Sequence, residues 1–304
     1  MTSTRRNFLQ TLSLLALQGC ALLPDRTSAA RPSDAGQAPE CRVTWAGGPT
    51  MAISFAELTI LTDPVLGESF SMGDPNEQVG FREVVQHPRS TPLGGVDLAG
   101  VGLVLLSHVH EDHFDQQAWA DLDRSLPILL PVADVRTVTA KGFRRVDGLA
   151  WGDTRRLAAG AGRAVSITAI PAHHSSDAKI AEALGKGNGY WIELTDGGWR
   201  RTIYWTGDSM PTEEVIAATR SRGRPDLLVP HVGGVGATGP FGLISMRASD
   251  VVTLARALRP RRVLPIHHST YELYREPISE LAVRSQGEAY RLDLIAAGST
   301  VVYR

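Results

Sequence analysis

The six residues His108-Val109-His110-Glu111-Asp112-His113 follow, one residue (Ser107) on, the apolar run Val101-Gly102-Leu103-Val104-Leu105-Leu106. That run is bounded by Gly100 and by the polar cluster, so it reads as a buried strand, and the cluster sits where the chain leaves a sheet. In extended backbone, residues two apart point to one side, so His108 and His110 can grip a single cation together. Asp112 and His113 follow at a turn and can face a second cation a few ångströms away. The bland alternative is a polar loop rich in histidine. With 9 His in 304 residues, three in six positions favour a metal site over that alternative.

A chain of 304 residues has room for one large domain or two small ones, each with a sizeable core. Its 31 basic and 32 acidic side chains nearly cancel, and there is no basic block. That charge distribution argues against a nucleic-acid partner, which demands a positive stripe. An apolar content of 43% is ordinary for a globular protein.

Residues 1–30 read as a leader. Thr4-Arg5-Arg6-Asn7-Phe8-Leu9 is a twin-arginine pattern, followed by an apolar stretch from Leu12 to Leu17. That stretch falls well short of the roughly 20 apolar residues that a bilayer span needs. Leu17-Gln18-Gly19-Cys20 resembles a lipobox, in which Cys20 would be acylated and tether the protein to a membrane. Ser28-Ala29-Ala30 offers a competing cleavage site that would release a free protein. Either outcome makes the expected location periplasmic, or membrane-anchored on the exported side. Residues 31–41 read as a flexible tether and 42–304 as the folded domain that carries the histidine cluster. The two cysteines are Cys20 and Cys41, so acylation or removal of Cys20 leaves no internal disulfide.

Arg42–Trp45, Met51–Phe55 and Leu58–Thr62 predict strands, with a hairpin turn at Ala56-Glu57. The Gly-, Pro- and charge-rich segment from Pro64 to Pro92 predicts a long irregular loop. Helices are expected over Asp115–Leu122, Ala133–Lys141, Thr212–Arg220 and Ser245–Leu258. Further strands are expected at Pro127–Pro131, Phe143–Val146, Ala164–Ile170, Tyr190–Leu194, Thr202–Trp205, Leu227–Pro230 and Val263–Ile266. A hairpin over Tyr290–Tyr303 closes the chain. Strands and helices in both halves imply an α/β architecture of two packed sheets with helices outside.

Three more predicted strands run straight into candidate ligands: Ala172-His173-His174-Ser175, Thr206-Gly207-Asp208-Ser209 and His267-His268-Ser269. Alone, Asp208 would be a turn residue and each His pair an even choice between ligand and hydrogen-bonded core. Four strand ends of one kind can be gathered by a single sheet edge.

On these residues the chain resembles the metallo-β-lactamase superfamily. The resemblance rests on Leu61-Thr62-Asp63-Pro64, the Ser107–His113 segment, Pro171-Ala172-His173-His174, Thr206–Ser209 and Pro265-Ile266-His267-His268, in the family's order. The pattern is closest to the branch of ascorbate-6-phosphate lactonase and N-acyl-phosphatidylethanolamine phospholipase D. It implies a four-layer αββα sandwich with a two-metal site at one edge. By the same resemblance His108, His110 and His174 would hold one metal, with His173 the live alternative to His174. Asp112, His113 and His267 would hold the second, Asp208 would bridge, and Asp63 would orient a ligand imidazole. Two departures matter. The branch's early Gly-His-Ala turn is Ala46-Gly47-Gly48 here, and its His-Met pair before the late helix is Ser245-Met246-Arg247. Both point to a different substrate pocket.

The expected activity is that of an exported, binuclear metal-dependent hydrolase acting on a small-molecule or lipid-like substrate. Two divalent cations, zinc first and manganese or iron as alternatives, would lower the pKa of water from about 16 towards about 7. The resulting hydroxide would attack an ester, lactone, amide or phosphodiester, with Asp112 orienting it. His268, His231 or Tyr271 could protonate the leaving group. The rival readings are a di-iron oxygen or nitric oxide reductase, a nuclease of the same fold, and a non-catalytic tethered metal- or ligand-binding protein. A His at position 110, where the reductases carry Glu, favours hydrolysis.

Overall fold

The computed structural model describes residues 38–304. The twin-arginine motif, Cys20, the Ala30 cleavage site and the tether as far as residue 37 lie outside the described residues.

The first half contributes strands β1 (Cys41–Gly47), β2 (Thr50–Phe55), β3 (Leu58–Thr62), β4 (Ser69–Gly73), β5 (Val84–Pro88), β6 (Leu103–Leu105), β7 (Pro127–Pro131) and β8 (Arg145–Leu149). Helices α1 (Gln116–Asp121) and α2 (Val135–Ala140) lie among them. The second half contributes β9 (Thr154–Ala158), β10 (Arg163–Ala172), α3 (Ala178–Leu184), β11 (Gly187–Asp196), β12 (Trp199–Trp205), α4 (Glu213–Arg220) and β13 (Leu227–Val229). It ends with α5 (Ala248–Leu258), β14 (Arg262–Val263), α6 (Ser279–Arg284), β15 (Arg291–Leu292) and β16 (Thr300–Tyr303).

These strands form two seven-stranded sheets, ordered β16-β1-β2-β3-β6-β7-β8 and β15-β14-β13-β12-β11-β10-β9. Val43, Ile53 and Leu103 of the first sheet meet Ile167, Ile192 and Leu227 of the second in one buried core. Helix α1 and Val138 of α2 cover the outer face of the first sheet through Val104, Phe114, Ala118 and Ile128. On the outer face of the second, α5 presents Ala248, Val251, Val252, Ala255 and Leu258, the spacing of one helical face. The result is the αββα sandwich. Local signals explain the helix starts: Asp115 caps α1 by accepting from Ala118 N–H, and Thr212 caps α4 by accepting from Val215 N–H.

Several expectations are corrected. The segment 64–92 is not wholly irregular, because β4 and β5 pair antiparallel into a two-stranded ribbon that the Gly and Pro content disguises. The expected 290–303 hairpin does not form. β15 pairs parallel with β14, whereas β16 crosses to the other sheet and pairs with β1. That crossing covers an edge of β1 that a hairpin would leave unpaired. Arg262 anchors the crossover through a bidentate ion pair to Asp293 at 2.7 and 2.8 Å. Short elements β9, α3 and α6 carry too little periodicity to stand out in sequence, and β8 begins two residues later than expected. The late helix starts at Ala248, leaving Met246 in the core and Arg247 at its cap. Cys41 is a free, buried thiol at the start of β1, pushed up to about 12 by burial.

Candidate metal centre

Strands β12, β13 and β14 run parallel, and β10 shares their direction because two antiparallel pairings separate it from β12. Their carboxyl ends therefore share one edge, from which His174, Asp208, His231 and His267 project. The first sheet supplies the loop after β6. Asn188 N–H donates to Ser107 C=O at 2.8 Å, tying that loop to the second sheet. Gly207 lies against the same residue: a Cβ there would stand 2.7 Å from the Ser107 Cβ, and its φ is +55°. Glycine is what lets the Asp208 turn approach the His108 loop so closely.

Two groups of donors result. One nitrogen each of His108, His110 and His174 lies within 4.8 Å of the others. Donor atoms of His113, Asp208, His231 and His267 form a second group at the same spacing. Asp112 Oδ2 belongs beside it, 3.7 Å from Nε2 of both His113 and His267. Asp208 stands between the groups, with Oδ2 3.3 Å from His113 Nε2 and 4.0 Å from His174 Nδ1.

His108 Nε2, His113 Nε2, His174 Nδ1 and His267 Nε2 are buried and have no hydrogen-bond partner. Leaving such nitrogens unsatisfied is costly in a packed interior. Three of these rings are fixed through the opposite nitrogen: His108 by Ser107 Oγ at 2.9 Å, His113 by Asp63 Oδ2 at 2.7 Å, and His267 by the Val232 carbonyl at 2.9 Å. One nitrogen held and the other bare toward its neighbours is how imidazoles are presented to a cation. The donor set fits a metal.

Charges follow the same plan. Burial, then the neighbouring imidazoles, drives His108 well below the usual histidine value, and burial takes His174 down to about 3. His110 is lowered mainly by burial. Burial opposes the charges of Asp112 and Asp208. His113 and His267 overcome it, holding Asp112 at about 2 and Asp208 well below the carboxylate range. Asp208, Asp112 and Asp63 together outweigh burial at His113 and raise it well above its usual value. Backbone strain marks the site too, since His267 adopts φ +64° and Asp63 φ +34°.

Of the residues expected at the site, His108, His110, Asp112, His113, His174, Asp208 and His267 are brought together. His173 is not. Its Nε2 lies 2.8 Å from Glu214 at the surface, so the open choice between the two falls on His174. His268, expected as the proton donor, is also set apart. His267 adopts a left-handed backbone conformation, and His268 packs on Trp45 with ring centroids 4.5 Å apart. Its Nδ1 meets Ser269 Oγ at 2.9 Å, and burial lowers it to about 4. His231 is a correction of another kind. It is fully buried with both nitrogens engaged, by Trp205 Nε1 at 2.7 Å and Asp208 Oδ1 at 2.9 Å, so it cannot reach a leaving group.

Sequence reasoning missed Trp205 and Tyr274. The Trp205 indole is concealed as the last apolar residue of β12. Tyr274 packs on His267 at 4.5 Å, and its buried hydroxyl has no hydrogen-bond partner. Gly48, the last residue of the Ala46-Gly47-Gly48 turn, also has a physical reading. A Cβ there would lie 3.1 Å from the Tyr271 ring, so tyrosine fills the space a side chain at 48 would take.

Fold and donor set together define the class of metal-dependent hydrolases built on an αββα sandwich. The model of the beta-lactamase superfamily domain matches residues 59–268, and the chain belongs to that family. A UPF0173 metal-dependent hydrolase of Pyrococcus abyssi is 27% identical over 179 residues, 58% of this chain and 70% of that one. The N-acyl-phosphatidylethanolamine-hydrolyzing phospholipase D 1 of Caenorhabditis elegans is 23% identical over 252 residues, 78% of this chain and 68% of that protein. Among solved structures, the isothiocyanate hydrolase from Delia radicum gut bacteria superposes with TM-score 0.70 at 21% identity. That match covers 86% of this chain and 98% of the neighbour, and is a likeness of fold.

Proposed function

We propose that this chain is an exported, binuclear metal-dependent hydrolase that cleaves an ester, lactone, amide or phosphodiester bond. The observation that carries the reading is the set of four buried imidazole nitrogens without hydrogen-bond partners, converging on two carboxylates. His108, His110 and His174 would hold one cation, Asp112, His113 and His267 the other, and Asp208 both. Nitrogen and carboxylate donors in this number suit zinc first, with manganese and iron also compatible. Such cations supply an acidified water and a Lewis acid for the developing oxyanion.

The chain's own residues do the rest. Asp112, held at about 2, stays a carboxylate throughout the neutral range and orients a water by accepting its hydrogen bond. Asp63, through His113, keeps one imidazole aimed at the site. Tyr274 has an unpartnered hydroxyl beside His267, whereas the Tyr271 hydroxyl accepts from Arg89 Nη1 at 3.1 Å and both His231 nitrogens are engaged. Burial holds the Tyr274 hydroxyl well above the usual phenol value, so it remains a donor.

A small-molecule or lipid-like substrate is supported by an apolar wall beside the site. Tyr274 and Tyr271 join Phe70, Met72 and Val235 in one cluster, with Phe241 packed against it. Phe81 packs on Phe241 with its ring tilted by 39°, and Val79, Val84 and Val85 are exposed on the same arm. The relative named for hydrolysing N-acyl-phosphatidylethanolamine supports the same class. Export rests on Arg5-Arg6 and the apolar stretch after them, with Cys20 as the tether if it is acylated.

Metal analysis of protein isolated with its native ions tests the centre. Two equivalents are expected, and less than one overturns the reading. A screen of lactones, phosphodiesters and amides with His110→Ala as control tests the reaction, and equal rates in the two proteins would remove the mechanism. Replacing Arg5 and Arg6 by Lys should keep the protein in the cytoplasm, and unchanged fractionation would count against export.

A further inference from the structure

His231 lies among the clustered donors, yet neither of its nitrogens is free to bind a cation. The indole N–H of Trp205 can only donate, so His231 Nε2, 2.7 Å away, must accept. The ring proton is thereby placed on Nδ1, which donates to Asp208 Oδ1 at 2.9 Å. The ring itself cannot swing. It stacks at an interplanar angle of 5° on His267, and its backbone N–H donates to Thr206 Oγ1 at 3.0 Å.

We propose that His231 is a positioning residue that, with its tautomer set by Trp205, ties down Oδ1 of Asp208 and leaves Oδ2 to face both groups of ligands. Oδ2 is the oxygen that faces His113 at 3.3 Å and His174 at 4.0 Å, one residue from each donor group, while the tethered Oδ1 lies 3.7 Å from His267 Nε2. The inference rests on the reading of Asp208 as a cation ligand. It adds that the orientation of the Asp208 carboxylate is set from behind, by a Trp–His pair in which both imidazole nitrogens are already engaged.

Two substitutions separate the two ends of the imidazole. In His231→Asn the side-chain amide stands near the lost Nδ1 and can still donate to Asp208. In His231→Gln the amide reaches Trp205 instead and releases Asp208. Zinc-loaded proteins are diluted into excess chelator and the rate of zinc release is followed, with melting of the metal-free forms as the measure of folding. His231→Gln should release zinc about 10- to 100-fold faster, in the range typical for lost outer partners, while His231→Asn stays within about threefold of the original. Equal rates for His231→Gln and the original protein overturn the inference, and so does equal loss in both variants. An original protein that binds none of zinc, manganese or iron overturns the hydrolase reading instead, so the two failures are distinct. Should either variant fail to fold, nitrogen NMR of the original protein decides: a proton on Nε2 rather than Nδ1 of His231 refutes the proposal.

Discussion

Asp63 Oδ2 lies 2.7 Å from Nδ1 of His113, both side chains fully buried and fifty positions apart in the chain. The carboxylate also accepts from Ser107 N–H at 2.7 Å, so one residue at the end of β3 fixes both the start of the donor loop and the aim of its last imidazole. Asp63→Asn removes the charge and keeps the shape. It should weaken metal binding at the His113 group by about 10- to 100-fold while leaving the fold intact. Competition against a chelator of known affinity measures this, and unchanged affinity would show that Asp63 serves packing alone.

Consecutive histidines provide a sharper test of the geometry. His174→Ala should abolish retention of the ion that His108 and His110 would hold, whereas His173→Ala removes a partner of Glu214 at the surface and should leave the metal content unchanged. Equivalent losses in the two variants would contradict the placement of these side chains.

The two donor groups should also respond differently to acid. His108, His110 and His174 disfavour protons, His174 down to about 3, so a cation bound there displaces none and persists in mildly acidic solution. His113 is raised well above its usual value by Asp208, Asp112 and Asp63, so its proton competes with the cation. As pH falls from 8 towards 5, metal should leave in two steps, the His113 group first. Calorimetry in buffers of different ionisation enthalpy should find proton release on filling that group and little on filling the other. A single-step release with uniform proton uptake would refute the assignment.

Asp134, just before α2, offers a stability prediction away from the centre. Burial raises its carboxyl to about 6, and Oδ2 has no hydrogen-bond partner. The protonated side chain is the stabilising form, so its contribution is complete below about pH 4 and disappears as pH rises through about 6. Asp134→Asn should therefore stabilise the protein at pH 7 by about 1–3 kcal/mol and make little difference near pH 4. Denaturant unfolding at the two pH values measures it, and an equal effect at both would exclude burial of the charge as the cause.

Much of the fold was legible because it is locally encoded. Leu58–Thr62 and Pro127–Pro131 appear where apolar and β-branched runs place them, and Asp115 and Thr212 cap the helices they precede. The β4–β5 ribbon and the parting of β15 from β16 were not, because each depends on which edge is available for pairing elsewhere in the sheets.

The amino-acid sequence by itself determined that donors stand at the ends of strands, since residue type and two-residue spacing are properties of a local stretch. Tertiary structure decided which of those donors meet. His174 rather than His173 faces His108, and His231 turns to Asp208 and Trp205, because sheet register and hydrogen bonds between segments far apart in the chain fix where each ring nitrogen points.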